Sequence, residues 1–291
     1  MVGITTGAPA GLLLDQLSAT SIHAVSTRKL RAAYSGNALR AVQSTAGGGG
    51  QQDIGFTGND LNTAALLSFA GAHDAGATVL YDQSPVGTNN ASTTNAGQSV
   101  TNSPLIVNGG SLVPINSRPA MQWTNTTAIG ADSYFASTQI GVTGSGPTYS
   151  EPLTFAFVLQ LTSTGSGNMI DATVFNAGRV VCGTINSGLN WVMYAGGTTV
   201  TPTSPVPDTS LHACFWIFNG TSSHIYIDGT DASGVAGTDP GTNALFASTV
   251  MIYGYTPALF LIPEMLIFPS AISAGDRNTI RSSFQSYWGT P

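Results

Sequence analysis

Charge is what this sequence has least of. Only 8% of its 291 residues are Asp, Glu, Lys or Arg, with a single lysine, Lys29, and two glutamates, Glu151 and Glu264. The balance is −6, with a pI near 4.8. So few cations exclude the broad basic face that phosphate backbones require, and nucleic acid is not an expected partner. Cysteine is equally scarce. Cys182 and Cys214 sit in apolar, strand-like runs and read either as two buried thiols or as one bridge between strands. Together with the scattered His23, His73, His212 and His224 they show no metal-ligand spacing, so no cofactor or metal is expected. Long hydrophobic runs are missing too. The apolar stretch ALFLIPEMLIF is short and interrupted by Pro263 and Glu264, so no membrane span is expected. The N-terminus has no cationic n-region, and its apolar run Gly11 to Leu14 is too short for a signal core, which predicts no export by a classical leader.

What is present is apolar residues at 42%, with Gly, Ser, Thr, Asn and Ala filling most of the remainder. Disordered chains combine low hydrophobicity with high charge, so this composition predicts a folded domain. A surface of Thr, Ser and Asn in place of Lys and Glu is typical of secreted β-proteins and of the outer parts of virus particles. Half of the eight cations, Arg28, Lys29, Arg31 and Arg40, fall in one short stretch. That cluster reads as the solvated side of a helix or, with Arg28, Lys29 and Arg31, as a docking patch for an acidic partner surface.

Residues 1–21 carry Gly3, Gly7, Pro9 and Gly11 and read as an irregular arm ahead of a single domain at 22–291. Ser26 or Thr27 is placed to cap a short helix through Tyr34, with Leu30 and Ala33 inward. Strands are expected at Ala38–Ser44, Asp53–Phe56 and Thr78–Tyr81. Between the last two, Ala64, Ala65, Leu66, Leu67 and Phe69 give a helix face capped by Asp60 or Asn62 and stopped by Gly71. Beyond a polar loop at 86–100, short apolar runs recur between Gly, Asn, Ser and Pro, the pattern of an antiparallel sandwich. The predicted strands include Leu153–Leu161, Val180–Ile185, Trp191–Tyr194, Ala213–Asn219, His224–Ile227, Thr249–Tyr253 and Phe260–Phe268. A last helix begins at Ser273, with Ile280 and Phe284 toward the core.

Two patterns resemble the concanavalin A-like (laminin-G-like) jelly-roll superfamily. One is the hairpin FNGTSSHIYIDGT at 218–230. The other is the closing strand EMLIF at 264–268, followed by AISAGDR and a terminal Tyr287-Trp288-Gly289, as in many such domains on phage virion proteins. Within that superfamily, STR at 26–28, the AYSG segment ending at Gly36 and YDQS at 81–84 resemble the catalytic domain of α-L-arabinofuranosidase B. The resemblance implies a mainly β fold, an antiparallel β-sandwich of concanavalin A-like jelly-roll type, with two or three short helices and the N-terminal arm.

The chemistry is not implied with it. A retaining glycosidase uses two carboxylates, one as nucleophile and one as acid/base. In the resembled family the nucleophile is a Glu shortly after a Trp-apolar-Met strand. The matching strand Trp191-Val192-Met193-Tyr194 runs on into Ala195-Gly196-Gly197-Thr198 without an acid. Tyr255 stands where the acid/base Asp is expected, and the family's adjacent cysteine pair is absent. A pair built from aspartates such as Asp171 and Asp228 is the remaining route, although Asp228 sits in a D-G turn. Asp228, Asp231 and Asp239 flank one loop, as turn residues or as a weak calcium site. No catalytic residue is therefore assigned. Trp191, Tyr194 and Tyr255 are candidate glycan-stacking residues, with core or rim packing as the competing role.

These readings together predict a non-enzymatic structural protein of a bacteriophage virion, decorating a capsid or forming part of a tail or fibre, with a capacity to bind glycans. Its partners would be other virion proteins, a cell-surface glycan and further copies of itself, by analogy a trimer, with assembly in the host cytoplasm. The alternative is a secreted carbohydrate-binding or arabinofuranosidase-like protein.

Overall fold

Three neighbouring strands, Leu153–Leu161, Leu211–Phe218 and Phe260–Phe268, are apolar at almost every position, and in the computed structural model they are covered on both sides. The structure describes residues 11–92, 100, 103–123, 136–137, 149–163, 167–172, 179–185, 190–232, 234–245 and 260–291. Because side chains alternate across a strand, one run serves two cores. Leu153, Phe155, Phe157, Leu159 and Leu161 enter one apolar cluster, whereas Ala156 and Val158 enter another on the opposite face.

These strands centre a long antiparallel sheet. Its path runs from Ala75–Leu80 through Leu105–Asn108, Gln122–Trp123, Phe260–Phe268, Leu153–Leu161 and Leu211–Phe218 to His224–Ile227. Leu39–Gln43 pairs with Ala75–Leu80 and with Gln51–Ile54. A second sheet of three strands, Gly167–Ala172, Val180–Ile185 and Asn190–Tyr194, contributes Met169, Cys182, Trp191 and Met193 to the first cluster. The indole of Trp216 joins the two sheets by donating to the Val192 carbonyl at 2.9 Å. The result is the expected mainly β sandwich. Cys182 and Cys214 are both buried and unbridged.

Two helices complete the described structure. Helix α1, Thr63–Ala70, is capped by Asn62, whose side chain accepts from the Ala65 amide, and it ends at Gly71. Helix α2, Ala274–Trp288, starts at Ser273, which accepts from the Asp276 amide. Its buried face, Ile280, Phe284 and Trp288, packs with Ala156, Ala213 and Phe215, where the small alanines make room for the helix. Asp276 also accepts from the amide and hydroxyl of Ser18, so residues 11–21 lie down on α2, with Leu13 buried beside it.

One expected element does not form. Instead of a capped helix from Ser26 to Tyr34, His23–Ser26 is a strand in register with Phe260–Phe268, pairing Ser26 with Glu264. Helix propensity here is overridden by tertiary partners. The Leu30 amide donates to the Gln83 side chain, which in turn donates to the carbonyls of Ser26 and Arg28. Buried Asp82 accepts from the amides of Ala24, Ser84 and Asn89. STR and YDQS, far apart in sequence, are therefore a single hydrogen-bonded unit. The expected strand at Thr249–Tyr253 lies outside the described residues.

Candidate functional site

Three places concentrate chemistry. The first is the end of the Asn190–Tyr194 strand, where a nucleophile would stand by resemblance. The chain continues as Ala195-Gly196-Gly197-Thr198 and is stitched to residues 239–243. The amides of Ala195 and Gly197 both donate to the Pro240 carbonyl, and the Asn243 amide donates to the Ala195 carbonyl. A Cβ on Gly197 would meet the Gly241 amide nitrogen at 2.6 Å, and one on Gly196 would meet the Asn243 side chain at 2.4 Å. Gly196 also has φ near +90°. No side chain, acidic or otherwise, fits at Gly197 unless the backbone opposite moves.

Trp191, just before this turn, is fully buried, with its ring edge-on to Trp216 at 5.7 Å and to His212 at 6.1 Å. Its ring lies in the core and offers no face for a sugar to stack on. Tyr194 is half-buried at the strand end, and Tyr255 lies outside the described residues. The structure thus brings Trp191 and Tyr194 onto one strand but gives them opposite surroundings.

The second place surrounds His212. Its Nδ1 lies 2.7 Å from Asp228 and its Nε2 lies 3.0 Å from Asp208. Both ring nitrogens can donate only in the imidazolium. Burial works to lower the pKa, but the two aspartates outweigh it and hold the ring above its ordinary value. Asp228 also accepts from the Ala213 amide, and Asp231 pairs with His224, so these acids are already committed. Among the described residues no group of three or more His, Cys, Asp or Glu could hold a metal ion.

The third place is a cleft of about 650 Å³ between α2, the segment from Gly11 to Gln16, and the Arg28–Lys29 backbone. Arg28, which lines it, is paired with Glu264, which is fully buried in the Phe260–Phe268 strand. A carboxylate in that setting requires partners, and three residues supply it with four hydrogen bonds. The Arg28 guanidinium donates to both of its oxygens at 2.7 and 2.8 Å, and the Ser26 hydroxyl and Trp288 indole also donate. Above this, the ring of Tyr287 is sandwiched between Arg28 and Arg118, whose guanidinium carbons lie 4.6 and 4.1 Å from its centroid. Asp60 accepts from both the Tyr287 hydroxyl and Arg118. Burial first, and then Asp60, push the Tyr287 pKa up.

This geometry separates the three members of the basic cluster. Arg28 is an internal ion-pair partner, only 11% exposed, and is not the solvated side of a helix. Arg31 is turned away from the cleft, donating to the Ser84 carbonyl. Lys29 is half-buried at the cleft wall and makes no ion pair among the described residues. Arg118 and Tyr287 escaped sequence reasoning because nothing in their local sequence links them to residue 28. Glu264 did carry a signal, since a lone acid inside an apolar strand must find a cation.

No protein-family model and no curated protein matches this chain. Solved structures do. The chain is similar to a GH54 α-L-arabinofuranosidase soaked with a cyclic sulfate inhibitor, with a TM-score of 0.60 and 14% identity over 93% of this chain. A variant of a GH54 α-L-arabinofuranosidase soaked with 4-nitrophenyl α-L-arabinofuranoside gives 0.60 at 16% identity. An arabinofuranosidase complexed with arabinofuranosyl-α-1,2-xylobiose gives 0.53 at 15%. The match spans 63% of each of those chains. At such identities the likeness shows a shared fold. This chain's β-sandwich is similar in fold to those structures.

Proposed function

We propose that this chain is a non-catalytic structural component of a bacteriophage particle, on the capsid surface or in a tail or fibre, built on a sugar-hydrolase scaffold and able to bind glycans. The observation that carries the non-catalytic half is the turn at Gly196–Gly197. In the segment where the resembled glycosidases place a nucleophile, no residue from Ala195 to Thr198 is acidic, and at Gly197 the Gly241 backbone lies too close for a side chain. The particle half is supported by the composition, with a surface of small neutral residues on a chain only 8% charged, and by the virion-like wording of the closing strand and terminal helix. Partner virion proteins, self-association, by analogy as a trimer, and assembly in the host cytoplasm belong to the same proposal.

Two measurements test it. The chain is expected to hydrolyse 4-nitrophenyl α-L-arabinofuranoside no faster than buffer. A rate that disappears on a single Asp→Asn change would overturn the non-catalytic reading. Mass spectrometry of purified particles from the source is expected to find many copies per particle, and absence from such particles would overturn the virion reading. The competing reading, a secreted carbohydrate-binding or arabinofuranosidase-like hydrolase, is favoured by the fold it shares with the arabinofuranosidases, and the same assay decides it.

A further inference from the structure

The cleft beside α2 plays no part in that reading, and its lining is selective. Its volume, about 650 Å³, lies in the range of pockets that hold a small molecule. Its lining includes neutral hydrogen-bonding groups, Thr279, Ser282 and Ser286 from successive turns of α2 with Asn278 and Asn59, beside the apolar Leu12 and Leu13 and the carboxylate of Asp60. Residues three and four apart share a helix face, so Thr279, Ser282 and Ser286 lie in one row along the cleft, with the Thr279 hydroxyl donating to the Gly275 carbonyl.

The charge in the cleft is equally particular. Three of the eight cations line it, yet two are consumed. Arg28 is neutralised by Glu264 beneath it, and Arg118 by Asp60, while both guanidinium faces are held on Tyr287. That leaves the Lys29 ammonium as the uncompensated charge. Its backbone is pinned, since its amide donates to the Asn59 carbonyl at 2.8 Å and the next amide donates to Gln83. A lysine without an ion-pair partner on the same lining as hydroxyl and amide side chains is a complement for one anionic group on a polyhydroxylated ligand.

We propose that this cleft binds an acidic saccharide, with Lys29 taking the carboxylate of a uronic acid and the α2 hydroxyl row taking its ring hydroxyls. The site lies on the α2 face of the long sheet, whereas Trp191 and the Gly196–Gly197 turn belong to the three-stranded sheet on the other face. The inference is therefore independent of whether the sandwich hydrolyses sugars or belongs to a particle.

The test is calorimetric titration of the full chain with a glucuronic acid-terminated disaccharide, its neutral glucose counterpart, and sodium acetate. The acidic sugar is expected to bind about tenfold or more tighter than the neutral one, the effect of one charged hydrogen-bonded contact. Lys29→Gln is expected to erase that preference, and Ser282→Ala with Ser286→Ala to weaken the acidic sugar while leaving acetate unchanged. Unfolding midpoints confirm that each variant is folded. Failure to bind the acidic sugar, equal affinity for the two sugars, or a preference that survives Lys29→Gln would overturn the proposal. Acetate binding as tightly as the disaccharide would overturn the saccharide assignment, leaving a bare anion site.

Discussion

On one face of the long sheet, Phe157 and Trp216 stack at 5.1 Å and Trp191 closes edge-on against Trp216, within an apolar cluster to which the three-stranded sheet also gives Met169, Ile170, Val180, Cys182 and Met193. On the other face, α2 and residues 11–30 are attached by apolar packing plus one buried polar unit, in which Glu264 receives Arg28, Ser26 and Trp288. The two attachments respond to damage differently. Apolar burial is roughly proportional to area and non-directional. A buried ion pair is worth little as a net gain, but losing one member strands the other in a medium that cannot solvate it. In a chain with so few charges, the α2 face adds to its apolar packing one ion pair whose two members depend on each other, whereas the opposite face spreads its attachment over many apolar residues.

The largest test of that contrast is Trp216→Ala, which removes the stack and the bond to Val192 and is expected to cost about 3–5 kcal/mol in urea unfolding. Glu264→Gln leaves Arg28 buried without its counter-charge and is expected to cost about 3 kcal/mol. The distinguishing result is the double variant Arg28→Met with Glu264→Leu. It is expected to be more stable than Glu264→Gln alone, because both charges leave together. A double variant worse than either single change would mean that the polar unit stabilises as a network and not by avoiding a stranded charge.

Smaller effects follow. Gly197→Ala forces a Cβ against the Gly241 amide and is expected to cost about 1–3 kcal/mol, a loss visible in the unfolding midpoint. Two histidines should then give opposite pH slopes. His212, held above its ordinary value by Asp228 and Asp208 against its burial, contributes stability that is complete below about pH 6.5 and is lost as pH rises through its folded pKa. His23 is driven below its ordinary value, by burial first, against Asp82 and the Asn89 carbonyl. It takes up a proton less readily when folded, so the contribution of its burial falls as pH drops below about 6.5, where the unfolded chain is protonated first. Urea midpoints measured from pH 5 to 8 in His212→Gln and His23→Gln should flatten one limb each. The smallest expected effect is that of Lys29→Gln, within about 0.5 kcal/mol by the same measurement, since no partner is lost.

Much of the fold was legible because it is local. Leu153–Leu161, Val180–Ile185, His224–Ile227 and Phe260–Phe268 are apolar runs bounded by turn residues, and each forms where its pattern places it. The caps Asn62 and Ser273 announce their helices by side chains that accept from amides three residues on. Less of the candidate site could be read. Ser26 to Tyr34 has the local character of a helix, and Arg28 that of an exposed cation. Both readings fail for one reason: the residues that decide them, Glu264, Gln83 and Tyr287, lie more than fifty positions away.

Sequence alone determined the class of architecture, the alternation that gives two cores to one set of strands, and the lack of an acid after Met193. These follow from side-chain period and residue identity, which are properties of the chain before it folds. Tertiary structure alone decided that His23–Ser26 is a strand, that Arg28 is internal while Lys29 is left uncompensated, and that the Gly196–Gly197 turn has no room for a side chain. Each of those depends on which distant groups meet. A low-charge chain leaves so few possible partners that every such meeting settles the role of the residues involved.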